Sequence, residues 1–290
     1  MSEVFKITGG GPLNGEVGIS GAKNAASKMM IATLLTDEPI ILRNVPRQQE
    51  TEITQEIITM IGAQTEWIDE HTLKIQTQNI LSSAVRELSR KNRISVLALA
   101  PLLHRTGEAF VPKVGGDKIG PRPVNFHLNT LLAMGAKAEE DVDGYHATVK
   151  DKLKGALVEF PYPSVMATES ALLAAVLAQG RTVIHNAAVE PEVKALIMML
   201  QNMGAIIQVS TDRSMEIIGV ERLHGVEATV IPDRIEAASF ACMALGTRGK
   251  IFVRGARHEH MITFLNAVRR IGGEYEVREN GIVLDRKAHV

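Results

Sequence analysis

Two spacings of apolar residues, one helical and one alternating, take turns along this chain, and their order recurs four times. Each copy reads as a strand start, an Ala/Leu-rich helix, a short strand, a second helix ending at a glycine, and two alternating strands. The helix stops are Gly62-Ala63, Gly135-Ala136, Gly204-Ala205 and Gly272-Gly273, spaced by about seventy residues. The short strands are Ile40-Ile41-Leu42, Ala109-Phe110-Val111, Val183-Ile184-His185 and Ile251-Phe252-Val253. The pattern predicts an α/β (α+β) fold built of repeated βαβαββ units.

The second copy is longer between its short strand and its glycine. The extra length falls in Pro112-Lys113-Val114-Gly115-Gly116-Asp117-Lys118-Ile119-Gly120-Pro121-Arg122-Pro123, where Gly and Pro exclude regular structure while charges accumulate. A loop elaborated in one copy of a repeat is a place where function is added to scaffold. The alternative is an exposed turn with ordinary solvated charges. Asp117 is the one carboxylate inside the glycine-rich segment, which makes it a candidate lid-borne general acid or else a turn carboxylate.

The first helix of each copy follows a strand, so its unsatisfied N–H groups and dipole suit an anion. The residues at these starts are polar: Ser20-Gly21-Ala22-Lys23-Asn24, then Lys91-Asn92-Arg93, then Ser164, then Asp233-Arg234. If the copies pack around a common axis, Lys23, Arg93 and Arg122 supply three cations for a phosphorylated substrate, Arg as a bidentate fork and Lys as a point charge. A solvated lysine at a helix start is the plain alternative for Lys23.

Composition narrows the classes. With 290 residues, 45% of them apolar, the chain can bury a substantial core in one or two domains. A formal net charge of −1 gives no support for nucleic-acid wrapping or attraction to an anionic membrane. No apolar run approaches a bilayer-spanning length, and the N-terminus has no signal core. The single cysteine, Cys242, excludes an internal disulfide, fits a reducing cytosol and lies in an apolar helical segment, where a core position is expected. Met29-Met30 and Met198-Met199 read as gap fillers. His258-Glu259-His260 lacks a further ligand at a suitable spacing, so no metal is predicted. Gly9 to Glu16 lacks the Lys-Ser/Thr ending of a Walker loop, and Gly115 to Gly120 is not a dinucleotide fingerprint; neither ATP nor NAD is implied.

Four segments carry a resemblance: Ile19-Ser20-Gly21-Ala22-Lys23-Asn24-Ala25, the run from Gly115 to Val124, Asn186-Ala187-Ala188-Val189-Glu190-Pro191-Glu192, and Pro232-Asp233-Arg234-Ile235-Glu236. In these words, and from its first strand to its last residue, the chain resembles the UDP-N-acetylglucosamine 1-carboxyvinyltransferases of the enolpyruvyl transferase family. The sister enzymes acting on shikimate 3-phosphate share the repeat but not the wording around Lys23 and the inserted loop. The resemblance implies α/β prism domains, inside-out α/β barrels of three units each, with four of the family's six units present. Residues 22–231 would form a complete UDP-sugar-binding prism, and 1–21 with 232–290 a partial second domain.

The implied reaction transfers the enolpyruvyl group of phosphoenolpyruvate to the 3-hydroxyl of UDP-N-acetylglucosamine with release of phosphate, the first committed step of peptidoglycan precursor synthesis. By position, Lys23, Asn24 and Arg122 would bind phosphoenolpyruvate, and Asp117, Lys23 and Arg122 would be catalytic, Asp117 as proton donor. Arg93, Arg122, Pro123, Val124, Asn125, Phe126, Tyr162, Pro163, Ser164 and Val165 would hold the UDP-sugar. The scheme needs no cofactor, metal, nucleic acid or membrane, and implies a cytoplasmic transferase with self-association through the incomplete domain.

The chain departs from the family pattern in several places. Most members carry Cys at the position of Asp117, the thiol alkylated by fosfomycin, so fosfomycin resistance is expected. Tyr162 replaces a frequent Lys, and Met166 a frequent Gly. The family's base and several closing arginines have no counterpart here. A truncated, non-catalytic nucleotide-sugar binder therefore stays open, as does an enzyme of the 3-phosphoshikimate 1-carboxyvinyltransferase type and an assembly partner whose missing units come from another chain.

Overall fold

In chain order the elements are β1 (Gly15–Gly18), α1 (Lys23–Ala32), β2 (Ile40–Arg43), α2 (Gln49–Ile61), β3 (Gln64–Trp67) and β4 (Leu73–Gln76). The second copy comprises α3 (Leu99–Thr106), β5 (Glu108–Pro112), α4 (Asn125–Ala133), β6 (Lys137–Glu140) and β7 (Gly144–Thr148). The third comprises β8 (Leu157–Glu159), α5 (Val165–Ala175), β9 (Arg181–His185), α6 (Pro191–Asn202), β10 (Ile206–Val209) and β11 (Met215–Ile218). The fourth comprises β12 (Glu227–Thr229), α7 (Arg234–Gly246), β13 (Lys250–Arg254), α8 (His258–Arg270), β14 (Glu274–Arg278) and β15 (Gly281–Asp285). The computed structural model describes residues 4, 6, 8–89, 92–115 and 123–286. The βαβαββ order predicted from periodicity is thus present in copies one, three and four. In copy two the opening strand shrinks to a single parallel bridge, Ala84 to Phe110, and its first helix begins as a tight 3-10 turn, Ile94–Ala98.

The chain divides into two compact units, Lys23–Ile231 and Met1–Ala22 with Pro232–Val290. Three of the sheets follow one scheme, three antiparallel strands from the body of a copy with an opening strand added in parallel, and in the sheet of copy two the single bridge at Ala84 stands in for that strand. The orders are β10-β11-β9-β8, β12-β2-β4-β3, β5-β7-β6 and β1-β13-β15-β14. β8 pairs within its own copy. β12, which opens copy four, pairs with β2 of copy one, and β1, which opens copy one, pairs with β13 of copy four. That exchange sets the unit boundaries at the chain crossings after Ala22 and Ile231.

The repeated glycines at the helix stops have a physical cause. Gly62, Gly135, Gly204 and Gly272 all sit at positive φ, between 82° and 127°, a region that costs any residue with a Cβ. At Gly62 a Cβ would also meet the Asn79 carbonyl oxygen at 2.5 Å.

Burial separates the units. In the larger one, Ala25 to Ala32 of α1 and Ala167 to Ala175 of α5 are buried on every side, as expected for helices enclosed by neighbours. In the smaller unit α7 has a similar Ala-rich sequence but buries only Ala237, Ala241, Ala244 and Leu245. These pack with Val253, Met261, Leu265, Val268, Ile282 and Leu284 into a core of its own. Ile235, Met243, Ile262 and Ile271 stay about half exposed or more. Two sequence expectations are corrected here. Cys242 is exposed rather than core, because α7 has only one covered face, and Met198 is exposed while Met199 is buried.

Candidate functional site

In the larger unit the polar starts of copies one and two meet at one carboxylate. Lys23 opens α1, with Asn24 exposed beside it. The Lys23 Nζ lies 3.3 Å from Glu50 Oε2, in the first turn of α2. The same Glu50 oxygen receives a long contact of 3.5 Å from Asn92 Nδ2. Asn92 is buried, and its Oδ1 accepts from the Ile94 N–H at 2.5 Å, a local side-chain turn that leads into the tight turn before α3. Glu50 was not singled out in the sequence, where it is one acid among several in an amphipathic helix.

Asn92 and Arg93 also hold the inserted segment of copy two at two points. The Gly115 N–H donates to the Asn92 carbonyl at 3.2 Å, and Arg93 Nη2 donates to the Pro123 carbonyl at 2.7 Å. Lys113, at the near end, pairs with Glu140 and lies 5.1 Å from the Tyr145 ring centre. Asp117 and Arg122, predicted as proton donor and phosphate ligand, lie outside the described residues.

After Pro123 the chain enters α4 through Val124, which is buried, then Asn125, which is exposed, and Phe126, which is half-buried. The Phe126 ring meets Tyr162 edge-on, with centroids 5.2 Å apart, and Phe160 in a tilted contact at 5.9 Å. These contacts bring the predicted sugar-nucleotide residues Pro123, Val124, Asn125 and Phe126 of copy two beside the segment Tyr162-Pro163-Ser164-Val165 of copy three. Tyr162 and Pro163 are exposed. Ser164 is the N-cap of α5, and its hydroxyl makes no capping bond to that helix. The structure therefore gathers Lys23, Arg93, Pro123 to Phe126 and Tyr162 to Val165 within one unit, on elements from three copies. The helix start at Asp233 belongs to the smaller unit, where the Asp233 carboxylate caps α7 by accepting from Ile235 and Glu236.

Buried titratable groups lie close behind these elements. His127, one turn into α4, is almost wholly buried and its Nδ1 has no hydrogen-bond partner among the described residues. Burial first, and then the neighbouring Arg93 charge, push its pKa down to about 3, so the ring is neutral. Glu169 of α5 is fully buried and is held by burial at a pKa of about 8, against the opposing pull of Lys28. Neither histidine nor glutamate carries a motif visible in sequence; both sit in apolar runs. Among the described residues no group of three or more His, Cys, Asp or Glu side chains is placed to hold a metal ion. No helix among them is long and apolar enough to cross a membrane.

Comparison with known proteins places this geometry in context. Residues 7–289 match the family model described as EPSP synthase (3-phosphoshikimate 1-carboxyvinyltransferase). The chain is 45% identical to the UDP-N-acetylglucosamine 1-carboxyvinyltransferase of Protochlamydia amoebophila, over 97% of this chain and 62% of that protein. It is 46% identical to the enzyme of that name from Chlamydia muridarum, covering 64% of it, and 42% identical to that of Granulibacter bethesdensis, covering 68%. The chain thus spans less than two thirds of the first two relatives. Among solved structures, the enolpyruvyl transferase NikO of Streptomyces tendae superposes with a TM-score of 0.82 at 21% identity, over 96% of this chain and 66% of that one. An EPSP synthase of Acinetobacter baumannii superposes with a TM-score of 0.71 at 14% identity, over 96% and 65%. At those identities the likeness is one of fold, and it agrees with the predicted βαβαββ prism.

Proposed function

We propose that this chain, which belongs to the EPSP synthase family and within it to the UDP-N-acetylglucosamine 1-carboxyvinyltransferases, serves enolpyruvyl transfer from phosphoenolpyruvate to UDP-N-acetylglucosamine. Lys23 and Asn24, at the open end of α1, hold the phosphate, where the charge of Lys23 adds to the helix dipole. Arg93, Pro123 to Phe126 and Tyr162 to Val165 hold the sugar nucleotide. The observation that carries this reading is the edge-on contact of Phe126 with Tyr162, which joins two segments about forty residues apart in sequence.

Asp117 acts as the general acid and Arg122 steadies the phosphate. In the first step the sugar's 3-hydroxyl oxygen bonds to the central carbon of phosphoenolpyruvate while a proton is delivered to the methylene carbon, and the hydroxyl proton leaves to a base. In the second step a proton leaves the new methyl group, phosphate departs with its bonding electrons, and the double bond returns. The acid need is met by a carboxyl group on the inserted segment, and the growing charge on the leaving phosphate is met by Lys23 and Arg122.

The test is phosphate release by the purified chain given both substrates, with Asp117→Ala as control. Release that disappears in the control supports the full reaction. Tight UDP-N-acetylglucosamine binding without release supports a nucleotide-sugar binder instead, and turnover with shikimate 3-phosphate in its place supports the sister activity. We place the reaction in the cytoplasm at the entry to peptidoglycan synthesis. The open face of α7 and α8, with a groove of about 340 Å³ lined by Cys242, Leu245, Phe264 and Ile271, is where we expect self-association; light scattering across a concentration series tests it.

A further inference from the structure

Behind the α1 helix start lies a buried group of charges that the reaction scheme does not use. Lys28 on α1 is 4% exposed, Glu169 on α5 is 0% and Glu192 on α6 is 3%. Glu190, the N-cap residue of α6, is half-buried. Both carboxylate oxygens of Glu169 and one of Glu190 are buried with no hydrogen-bond partner among the described residues. Three carboxylates thus share the neighbourhood of one lysine, from helices that pack on one another.

Unpaired buried carboxylate oxygens are costly, and a cluster with more acids than bases relieves that cost by taking up a proton. The location gives the proton a consequence. Lys28 lies five residues beyond Lys23, about 7–8 Å along the helix axis, so the cluster sits one to two turns behind the proposed phosphate site. We propose that Lys28, Glu169, Glu190 and Glu192 form a buried proton-binding site coupled to the anion site at Lys23 and Asn24, with Glu169 taking up a proton when phosphoenolpyruvate binds. This rests on the phosphate-binding reading of Lys23 given above.

The sign follows from charge. An anion at the α1 start disfavours a second negative charge behind it, so binding raises the proton affinity of Glu169. Its surroundings already tilt that way: burial is the largest influence, Glu192 and Glu190 add to it, and Lys28 alone opposes it, leaving a midpoint of about 8. The other elements against α5 add no competing buried charge. α3 brings His104, held neutral by burial, and Arg105, whose guanidinium donates to the Leu34, Thr77 and Gln78 carbonyls. α4 brings His127, also held neutral by burial, Lys194 of α6 is exposed, and the turn Ile94–Ala98 has no ionisable group. β9 brings Arg181, paired at 2.6 Å with Glu216 of β11, and an exposed His185. One added charge at about 10 Å moves the Glu169 midpoint by about one pH unit. Linkage then requires an affinity for phosphoenolpyruvate about tenfold higher when Glu169 is protonated than when it is ionised.

The experiment is a pH titration of the full chain, labelled with carboxyl-carbon-13 glutamate and followed by NMR, with and without phosphoenolpyruvate. Calorimetry in two buffers of different ionisation enthalpy counts protons taken up on binding. One glutamate signal titrating near pH 8, absent in Glu169→Gln and moving up by about one unit with ligand, is the expected result. Proton uptake on binding should vanish in Glu169→Gln while binding persists. Lys28→Met should raise the midpoint, since it removes the one charge that opposes protonation. A Glu169 signal that titrates in the ordinary carboxylate range, or a midpoint unmoved by ligand that demonstrably binds, overturns the proposal. Absence of phosphoenolpyruvate binding overturns the Lys23 reading and the coupling with it, and the glutamate titration then reports separately on the proton site.

Discussion

Replacing Glu50 by Gln tests the electrostatics of the α1 helix start most directly. Glu50 holds the Lys23 ammonium at 3.3 Å, with the two side chains 42% and 21% exposed for Lys23 and Glu50. At that exposure the pair contributes no more than about 1 kcal/mol. A phosphate arriving at the helix end must share Lys23 with Glu50, so Glu50→Gln should tighten phosphoenolpyruvate by up to about fivefold. Lys23→Met removes a charged hydrogen bond worth about 1.5–3 kcal/mol and should weaken binding by about ten- to more than a hundredfold. In the Lys23→Met background only the screened repulsion between Glu50 and the ligand remains, and the gain from Glu50→Gln should shrink to less than about twofold.

Isothermal titration of all four proteins with phosphoenolpyruvate completes the cycle. Each single change should leave the melting temperature within about 4 °C, because a half-exposed pair carries little stability in a chain of this size. The reasoning is refuted if Glu50→Gln weakens binding while Lys23 is present. Glu50 would then be orienting the lysine, through its contact with Asn92, rather than competing with the ligand.

Other expectations follow from burial, charge and ring contacts. Phe126→Ala should cost about 1–3 kcal/mol in urea unfolding, from two aromatic contacts, and should weaken UDP-N-acetylglucosamine in a binding titration, with little effect on phosphoenolpyruvate. His104, part-buried and donating from Nε2 to the Ala174 carbonyl oxygen at 2.9 Å, has its pKa lowered to about 4 by desolvation, so its neutral form stabilises the fold above pH 6.5 and that stability drains away as pH falls from 6.5 to about 4. The loss should be about 3 kcal/mol by chemical unfolding across that window and should be smaller in His104→Gln. Fosfomycin should leave the intact mass of the chain unchanged, whereas Asp117→Cys should gain one adduct; an adduct on the unaltered chain that maps to Asp117 would refute the carboxylate argument.

The sequence carried the fold in its glycines and its periodicity. Gly62, Gly135, Gly204 and Gly272 each end a helix at positive φ, a conformational demand that a single residue can announce. Strand exchange could not be announced that way. β1 and β12 are short segments of similar character to β8, and nothing local distinguishes a strand that pairs within its copy from one that pairs with another. Cys242 was misjudged for a related reason: its Ala-rich helix resembles α1 and α5, and composition does not reveal how many neighbours a helix finds. The candidate site was legible only as separate polar segments. Glu50, Asn92 and the rings of Phe126 and Tyr162 are joined by tertiary contacts between copies, and Glu169 with Lys28 is hidden inside helices whose apolar residues dominate the pattern.

The copy that departs furthest from the repeat is also the one richest in candidate chemistry. Copy two has traded its opening strand for one bridge and begins its first helix with a tight turn, which leaves Asn92 and Arg93 outside regular structure. Their polar groups anchor Gly115, within the inserted segment, and Pro123, at its end. A regular βαβαββ unit would have spent the Asn92 carbonyl on its own ladder or helix. Loss of local regularity in one unit, supported by complete packing in its neighbours, is therefore what lets a repetitive scaffold present an asymmetric site.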